Sequence, residues 1–211
     1  MARYTGPSCR LCRAEQKKLF LKGIRCKSDK CAMNRKRGAP GKDIKARTGK
    51  KTEYCVQLRE KQKIRRMYNM LEKQFRLFFD RALRMPGVTG DNLIGLLESR
   101  LDNVVYRMRL ATSRAQARQL VGHGHVLVNS RRVNIPSYQV RPGDTVEIKE
   151  ASRKLVAILD SLSEVSKSGV VPWVTMDVDV QKGTYVSRPR RDEVVDLTDL
   201  KEQLVVEFYS K

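Results

Sequence analysis

The chain has 211 residues and carries 44 Lys and Arg against 23 Asp and Glu, a formal net charge of +21, with 40% hydrophobic and 6% aromatic residues. That length holds one large domain or two small ones with a real core, and the apolar share excludes a merely disordered basic tail. A charge this positive fits a polyanionic partner, either nucleic acid or an acidic membrane surface. The first 66 residues hold 22 Lys and Arg against 5 Asp and Glu, so one end of the chain supplies most of the field. Residues 1–18 lack the apolar core of a secretory leader, and no apolar run is long enough to span a bilayer. The expectation is a soluble cytoplasmic protein, where thiols stay reduced and a tight cysteine cluster signals a metal site rather than disulfides.

Cys9 and Cys12 form a C-x2-C pair, and Cys26 and Cys31 form a C-x4-C pair after a 13-residue spacer. Each pair can place two sulfurs on one ion, and four thiolates suit a structural Zn(II) with no open position. Nearby cations, Arg10, Arg13, Arg25, Lys27 and Lys30, favour the thiolate form. Cys55 stands apart and reads as a small buried residue. The metal is expected to order a polar, Gly-rich arm over 1–50 that cannot build its own core. The segment 35–51, "RKRGAPGKDIKARTGKK", is expected to be irregular and to order against phosphates.

From Tyr54 the pattern turns helical through Ile64, Met67, Tyr68, Leu71, Phe75, Phe78 and Leu83, with "REKQKIRR" (59–66) as a basic surface face. "MPGVTGD" (85–91) is a break that Thr89 or Asp91 can cap. Leu93, Leu97, Leu101, Val104, Val105 and Met108 mark a further amphipathic helix. Ser113 and Gln116 fit a capping box, and Gly122 or Gly124 ends the short helix that it opens. "HVLVN" alternates with Val126 and Val128 inward, Asn129–Ser130 turns, and "RRVNI" returns with Val133 and Ile135 inward. "RPGD" is a turn and "TVEIK" a third strand, with Val146 and Ile148 inward. Residues 152–162 read as a helix, "WVTMDVDV" and "GTYVSR" as a hairpin around Lys182–Gly183, and "EQLVVEFYSK" as a strand-like tail that packs onto something. Arg114, Arg118, His123, His125, Arg131 and Arg132 cluster at the helix and first turn. Such a face suits phosphates and 2′-hydroxyls and reads shape more than sequence.

"LLESRLDNVVYR", "RQLVGHGHVLVN", "IPSYQVRPGD", the ending "EQLVVEFYSK", the opening "ARYTGP" and the four-cysteine pattern resemble the bacterial ribosomal protein S-four family in its zinc-containing form. The resemblance runs over essentially the whole chain. It implies an α+β protein with a zinc-knuckle N-terminal arm (1–50) and a small all-helical domain (51–97, completed by about 185–211). Into that domain a helix-plus-antiparallel-sheet RNA-binding domain is inserted (98–184, its characteristic module at about 98–160). It further implies binding to the 5′ domain of small-subunit rRNA early in assembly. Contact with ribosomal proteins S-five and S-three where mRNA enters, an influence on decoding accuracy and, in some members, repression of the protein's own mRNA are implied as well. Charge pattern and resemblance together give the candidate RNA contacts. These are Arg3, Tyr4, Arg47, Lys50 and Lys51 of the arm, and Arg59, Lys61, Lys63, Arg65 and Arg66 of the first long helix. In the module they are Arg114, Arg118, Gln119, His123, His125, Asn129, Arg131 and Arg132. One Zn(II) on Cys9, Cys12, Cys26 and Cys31 completes the set. Two departures stand out. Ser130 occupies a turn position where many members have Gly, which costs about 1–2 kcal/mol if the backbone is left-handed there. "APGKD" (39–43) replaces a string that contains a His in many members.

Two other classes compete. Pseudouridine synthases share the module, and "SRLD" (99–102) resembles the string around their catalytic Asp. Here Asp102 is expected on the polar, solvated side of a helix, and no catalytic-sized domain, nucleophile set or Gly-rich phosphate loop accompanies it. A zinc-finger DNA regulator presents a base-reading helix, whereas this cysteine region is uniformly basic. The expectation is a non-enzymatic RNA-binding scaffold.

Overall fold

The computed structural model describes residues 3–41, 49–163 and 169–210. Helices among them are α1 (Ser8–Glu15), α2 (Glu53–Met67), α3 (Glu72–Leu83), α4 (Thr89–Glu98), α5 (Leu101–Arg107), α6 (Arg114–Gly122), α7 (Val156–Leu162) and α8 (Glu202–Ser210). Strands are β1 (Val126–Val128), β2 (Arg131–Arg132), β3 (Thr145–Ile148), β4 (Val174–Asp177) and β5 (Lys182–Tyr185). The chain divides into two compact units, Met1–Asn92 with Val195–Lys211, and Leu93–Val194.

The first unit is helical. Thr52 caps α2 by accepting the Cys55 N–H at 3.3 Å, and Glu53 lies in its first turn with Arg65 and Arg66 in its last. Both ends complement the helix dipole. The single helical pattern expected from Tyr54 to Leu83 breaks in two, because Asn69 adopts φ 52° and Met70 N–H closes back on the Arg65 carbonyl. Leu83, expected inward, is exposed, while Phe75, Phe78, Phe79 and Ala82 form the buried face of α3.

The C-terminal tail, expected to be strand-like, is helix α8. Val205 is its buried residue, Tyr209 packs on Phe79 with ring centroids 4.6 Å apart, and Phe208 meets Tyr54 at 5.4 Å. Gln57 donates to Glu207 at 3.0 Å, and the Tyr209 hydroxyl donates to Glu72 at 2.8 Å. Burial first, then the bond to Glu72, pushes the Tyr209 pKa well up, so this hydroxyl stays protonated as a donor. The β-branched pair Val205–Val206 favours a strand locally, and packing against α2 and α3 overrides it.

The second unit is helices on a sheet. The helix expected over Leu93–Met108 is two helices, α4 and α5, interrupted at Ser99–Arg100 where Arg100 bridges to Gln139. All six of its marker residues are buried. The sheet is antiparallel with order β2-β1-β3-β5-β4. Val126, Val128, Val146 and Ile148 are buried, as their alternation requires. β2 is short, and Ile135, expected inward, is half exposed. The hairpin at 174–185 turns at 178–181, not at Lys182–Gly183, and it adds two strands to the sheet of the module. Gly183 sits within β5, where a Cβ would lie 2.3 Å from the Thr175 carbonyl oxygen, so only glycine fits.

The turn after β1 places Asn129 at φ 49° and Ser130 at φ 63°. Asn129 repays its conformation, since its Oδ1 accepts Thr145 N–H at 2.9 Å and its Nδ2 donates to Asp144 at 2.8 Å. Ser130 has the left-handed backbone that favours glycine. Ser130→Gly is therefore expected to raise stability by about 0.5–1 kcal/mol after the entropy lost in the unfolded chain is counted, read by chemical denaturation.

Candidate nucleic-acid interface

The helical side of the second unit is held by buried charge. Glu98 accepts from Arg107 Nε and Nη2, both at 2.8 Å, and from Asn103 Nδ2 at 2.7 Å. Arg114 Nε donates to Asn103 Oδ1 at 2.8 Å, and its guanidinium lies over the Tyr106 ring at 4.6 Å. Arg100 makes a two-pronged contact with Asp102, at 3.0 and 2.7 Å, and Arg118 Nη1 reaches the same carboxylate at 3.3 Å. All of these charged side chains, and Asn103, are buried. Asp102, expected in solvent, is an internal anchor. Arg114 and Arg118, expected on a solvated cationic face, are internal cross-links from α6 to α4 and α5. The four-residue spacing does put them on one side of α6, but that side faces the carboxylates. Position in the helix was legible; burial depended on Glu98 and Asp102, which the one-helix reading did not aim at α6. The Ser113 hydroxyl accepts Gln116 N–H at 3.3 Å as expected, while the Gln116 side chain turns to Thr112 instead of closing the box.

What faces outward is the far end of α6 and the β1–β2 turn. Gln119, His123, Asn129, Arg131 and Arg132 are exposed and His125 is half-buried. The Arg132 guanidinium covers Gly124, where a Cβ would come within 2.3 Å of it, and it reaches the His123 carbonyl at 3.5 Å. Gly124 at φ 73° thus serves both the turn and the close approach. His125 Nδ1 lies 2.9 Å from the Ser152 hydroxyl. Burial, then the cations His123, Arg132 and Lys149, lowers the His125 pKa. Lys149 therefore belongs to this cluster. It follows inward Ile148 by one residue, and that alternation was the signal for it in the sequence.

In the first unit the "basic face" of α2 is half internal. Lys61 is buried against Glu72 at 2.6 Å with its ammonium 4.4 Å from the Phe208 ring, and Arg65 Nε lies 3.5 Å from Glu72. Lys63 bonds Glu60, and both Arg59 and Arg66 bond Glu15, whose side chain is fully buried. Arg3, Tyr4, Lys50 and Lys51 are exposed. Arg47 lies outside the described residues.

The arm is more than a solvated segment, since Leu19, Cys12, Cys26 and Cys31 are buried and Cys9 is half-buried. Lys22 N–H donates to Cys26 Sγ at 3.3 Å. The Cys12 and Cys26 pKa values are raised, by burial first and also by the neighbouring thiols of the set. The four sulfurs thus share one neighbourhood. Among the described residues, however, no group of three or more His, Cys, Asp or Glu is close enough to hold a metal ion. The donor chemistry suits zinc, while the packing of the sulfurs stops short of a coordination shell. Cys55, expected to be buried, is half-buried.

Two basic units, one of them a helix-on-sheet module that presents cations at a turn, define a structural polyanion-binding protein. Residues 3–98 match the profile of the ribosomal protein S4/S9 N-terminal domain, and residues 99–146 match that of the S4 domain. The small ribosomal subunit proteins uS4 of Pelobacter propionicus and Trichlorobacter lovleyi are each 54% identical to the chain, over all 211 residues and the whole of each relative. That of Geobacter sulfurreducens is 53% identical over the same span. The chain belongs to the small ribosomal subunit protein uS4 family, a family of structural, non-enzymatic proteins. Among the described residues no helix is long and apolar enough to cross a membrane.

Arg118→Glu places a second carboxylate beside buried Asp102. It is expected to cost about 3 kcal/mol or more, read as a fall in the denaturation midpoint of the second unit.

Proposed function

We propose that the chain binds small-subunit rRNA through two cationic surfaces, one on each unit, and holds the 5′ domain of that RNA early in assembly. As a small-subunit ribosomal protein it works in the ribosome, in the cytoplasm. The observation that carries the RNA reading is the exposed set His123, Arg131, Arg132 and Lys149, at the end of α6, on β2 and just past β3, beside two turns that Gly124 and Asn129 shape. A rigid, charged edge of this kind follows a phosphate backbone and needs no base-reading helix. Contact with ribosomal proteins S-five and S-three where mRNA enters, an effect on decoding accuracy and repression of the chain's own mRNA rest on family resemblance, with no residue of this chain singled out for them.

The double variant Arg131→Ala/Arg132→Ala is expected to weaken binding to the 5′-domain rRNA and to flatten the salt dependence by roughly one to two in slope, with an unchanged melting temperature. Filter binding with tRNA and duplex DNA as competitors reads it. Unchanged affinity at physiological salt removes the turn from the interface.

His125 gives a pH dependence of definite sign. Its folded pKa lies below the ordinary histidine value, so protonation disfavours the free fold, and stability falls as pH drops below about 6.5. A bound phosphate reverses the local field and raises that pKa, so RNA binding tightens over the same interval. An NMR titration of His125 with and without RNA checks it; identical midpoints mean that no phosphate lies there.

We further propose one structural Zn(II) on Cys9, Cys12, Cys26 and Cys31. Spacing, burial and mutual proximity of the thiols support it. The ion would replace the protons that burial otherwise keeps on Cys12 and Cys26, and it would tie α1 to the short 3-10 turn Gly23–Cys26. Cys9→Ser is expected to lower zinc content from one per chain to near zero by elemental analysis, with the second unit still folded by circular dichroism. One tightly held zinc in the variant excludes this ligand set.

A further inference from the structure

Helix α7 is apolar on both of its sides. Ile158 and Leu162 are buried, while Leu155, Val156 and Leu159 are 39%, 71% and 49% exposed. A surface helix ordinarily turns polar side chains outward, and one that is apolar all round is covered on every side. Scattered exposed apolar residues need no explanation, but three on one arc of a short helix form a patch. The turn of the β4–β5 hairpin lies at the N-terminal end of this helix, since Gln181 Nε2 donates to the Arg153 carbonyl at 3.2 Å. That turn exposes two more apolar side chains, Val178 and Val180. Asp177 holds its shape by accepting the N–H groups of Asp179 and Val180 at 3.1 and 3.3 Å.

Charge says what kind of partner fits. Arg153 and Lys154 stand just before the region, but residues 155–180 hold four carboxylates, Asp160, Glu164, Asp177 and Asp179, against Lys167 alone. That is a net charge of −3 within a chain of +21. Asp160, Asp177 and Asp179 are exposed. Such a surface repels phosphates, unlike the cationic edge at Arg131, Arg132 and Lys149 of the same unit. An apolar face with carboxylates around it complements a protein segment that carries apolar anchors among lysines and arginines. We propose that α7 and the 178–180 turn dock a basic, apolar segment of a neighbouring protein in the small subunit, on a face that RNA does not cover. The proposal goes beyond the RNA-binding reading and does not depend on which RNA the cationic edge binds.

The test uses the full chain with Val156 replaced by the photo-crosslinker p-benzoylphenylalanine, assembled into small subunits and, separately, bound to 5′-domain rRNA alone. Position 156 is largely in solvent, so the fold tolerates the larger side chain. Irradiation of the subunits is expected to give a protein–protein adduct that is absent from the rRNA complex. Mass spectrometry is expected to find more Lys and Arg than Asp and Glu in the joined peptide. Adding Asp160→Lys and Asp179→Lys is expected to lower the adduct yield about fivefold, with filter binding to the rRNA and the melting temperature unchanged. Asp177 is kept because it holds the turn. An adduct with rRNA, with a second copy of the chain or with an acidic peptide overturns the proposal. So does an absent adduct, or a yield that the two charge reversals leave unchanged. Weak rRNA binding by the chain without substitutions removes the RNA-binding reading and leaves the adduct result standing on its own.

Discussion

Glu98 and Asp102 hold the second unit together. Two buried carboxylates serve Arg107, Arg114, Arg100 and Arg118, and Asn103 links the Glu98 set to Arg114. The arrangement fixes α6 against α4 and α5 at a definite rotation and register, because the forked guanidinium geometry accepts few alternatives. Such a network contributes less net stability than its many bonds suggest, since each ion was well solvated before folding. Its consequence is positional. The side of α6 that carries Arg114 and Arg118 is turned in, and the side that carries Gln119 is turned out.

The same logic sorts the cations of the first unit. Glu15 holds Arg59 and Arg66, Glu60 holds Lys63, and Glu72 holds Lys61 and Arg65. In a chain with nearly twice as many cations as anions, the few carboxylates decide which basic side chains become structural. Those they leave, such as Arg131, Arg132, Lys149, Lys50 and Lys51, stand at turns and at the end of the arm. Clusters of like charge at such places are uncomfortable in the free protein, and a polyanion relieves them.

Elements governed by local rules were legible in the sequence. The Ser113 cap, the alternation of Val126 and Val128 with Val146 and Ile148, and the Asn129–Ser130 turn all follow from short-range chemistry. Elements decided by distant partners were not. The tail became α8 because Tyr209 and Phe208 find α2 and α3, against the strand preference of Val205 and Val206. The basic run 59–66 looked solvated because its anions lie elsewhere in the chain, at Glu15 and Glu72. The break at Asn69 left the apolar spacing intact, so periodicity alone ran the two helices together. Among candidate RNA contacts, those on turns stayed at the surface and those on helices were divided by burial. The cysteine cluster was visible by spacing, while the packing of its sulfurs is a three-dimensional property that no spacing encodes.

The two strands added by the 174–185 hairpin bear on the exposed edge. β5 pairs with β3 along Thr145–Glu147, so β3 is an interior strand with partners on both sides. β3 ends at Ile148, next to Lys149, and its first residue Thr145 is bonded by Asn129 of the turn. Lys149 thus directly follows an interior strand, while Arg131 and Arg132 form β2, the edge strand paired with β1. The Lys149 N–H donates to the His125 carbonyl, which ties the end of β3 to the start of β1. A surface held in this way loses little backbone freedom on meeting RNA, and less of the attraction is consumed in ordering it. The arm differs, because it has few apolar residues to bury and leans on its cysteines and on Glu15 for definition. The two surfaces thus bring different thermodynamics to one ligand, one prearranged by a sheet and the other dependent on cross-links and charge.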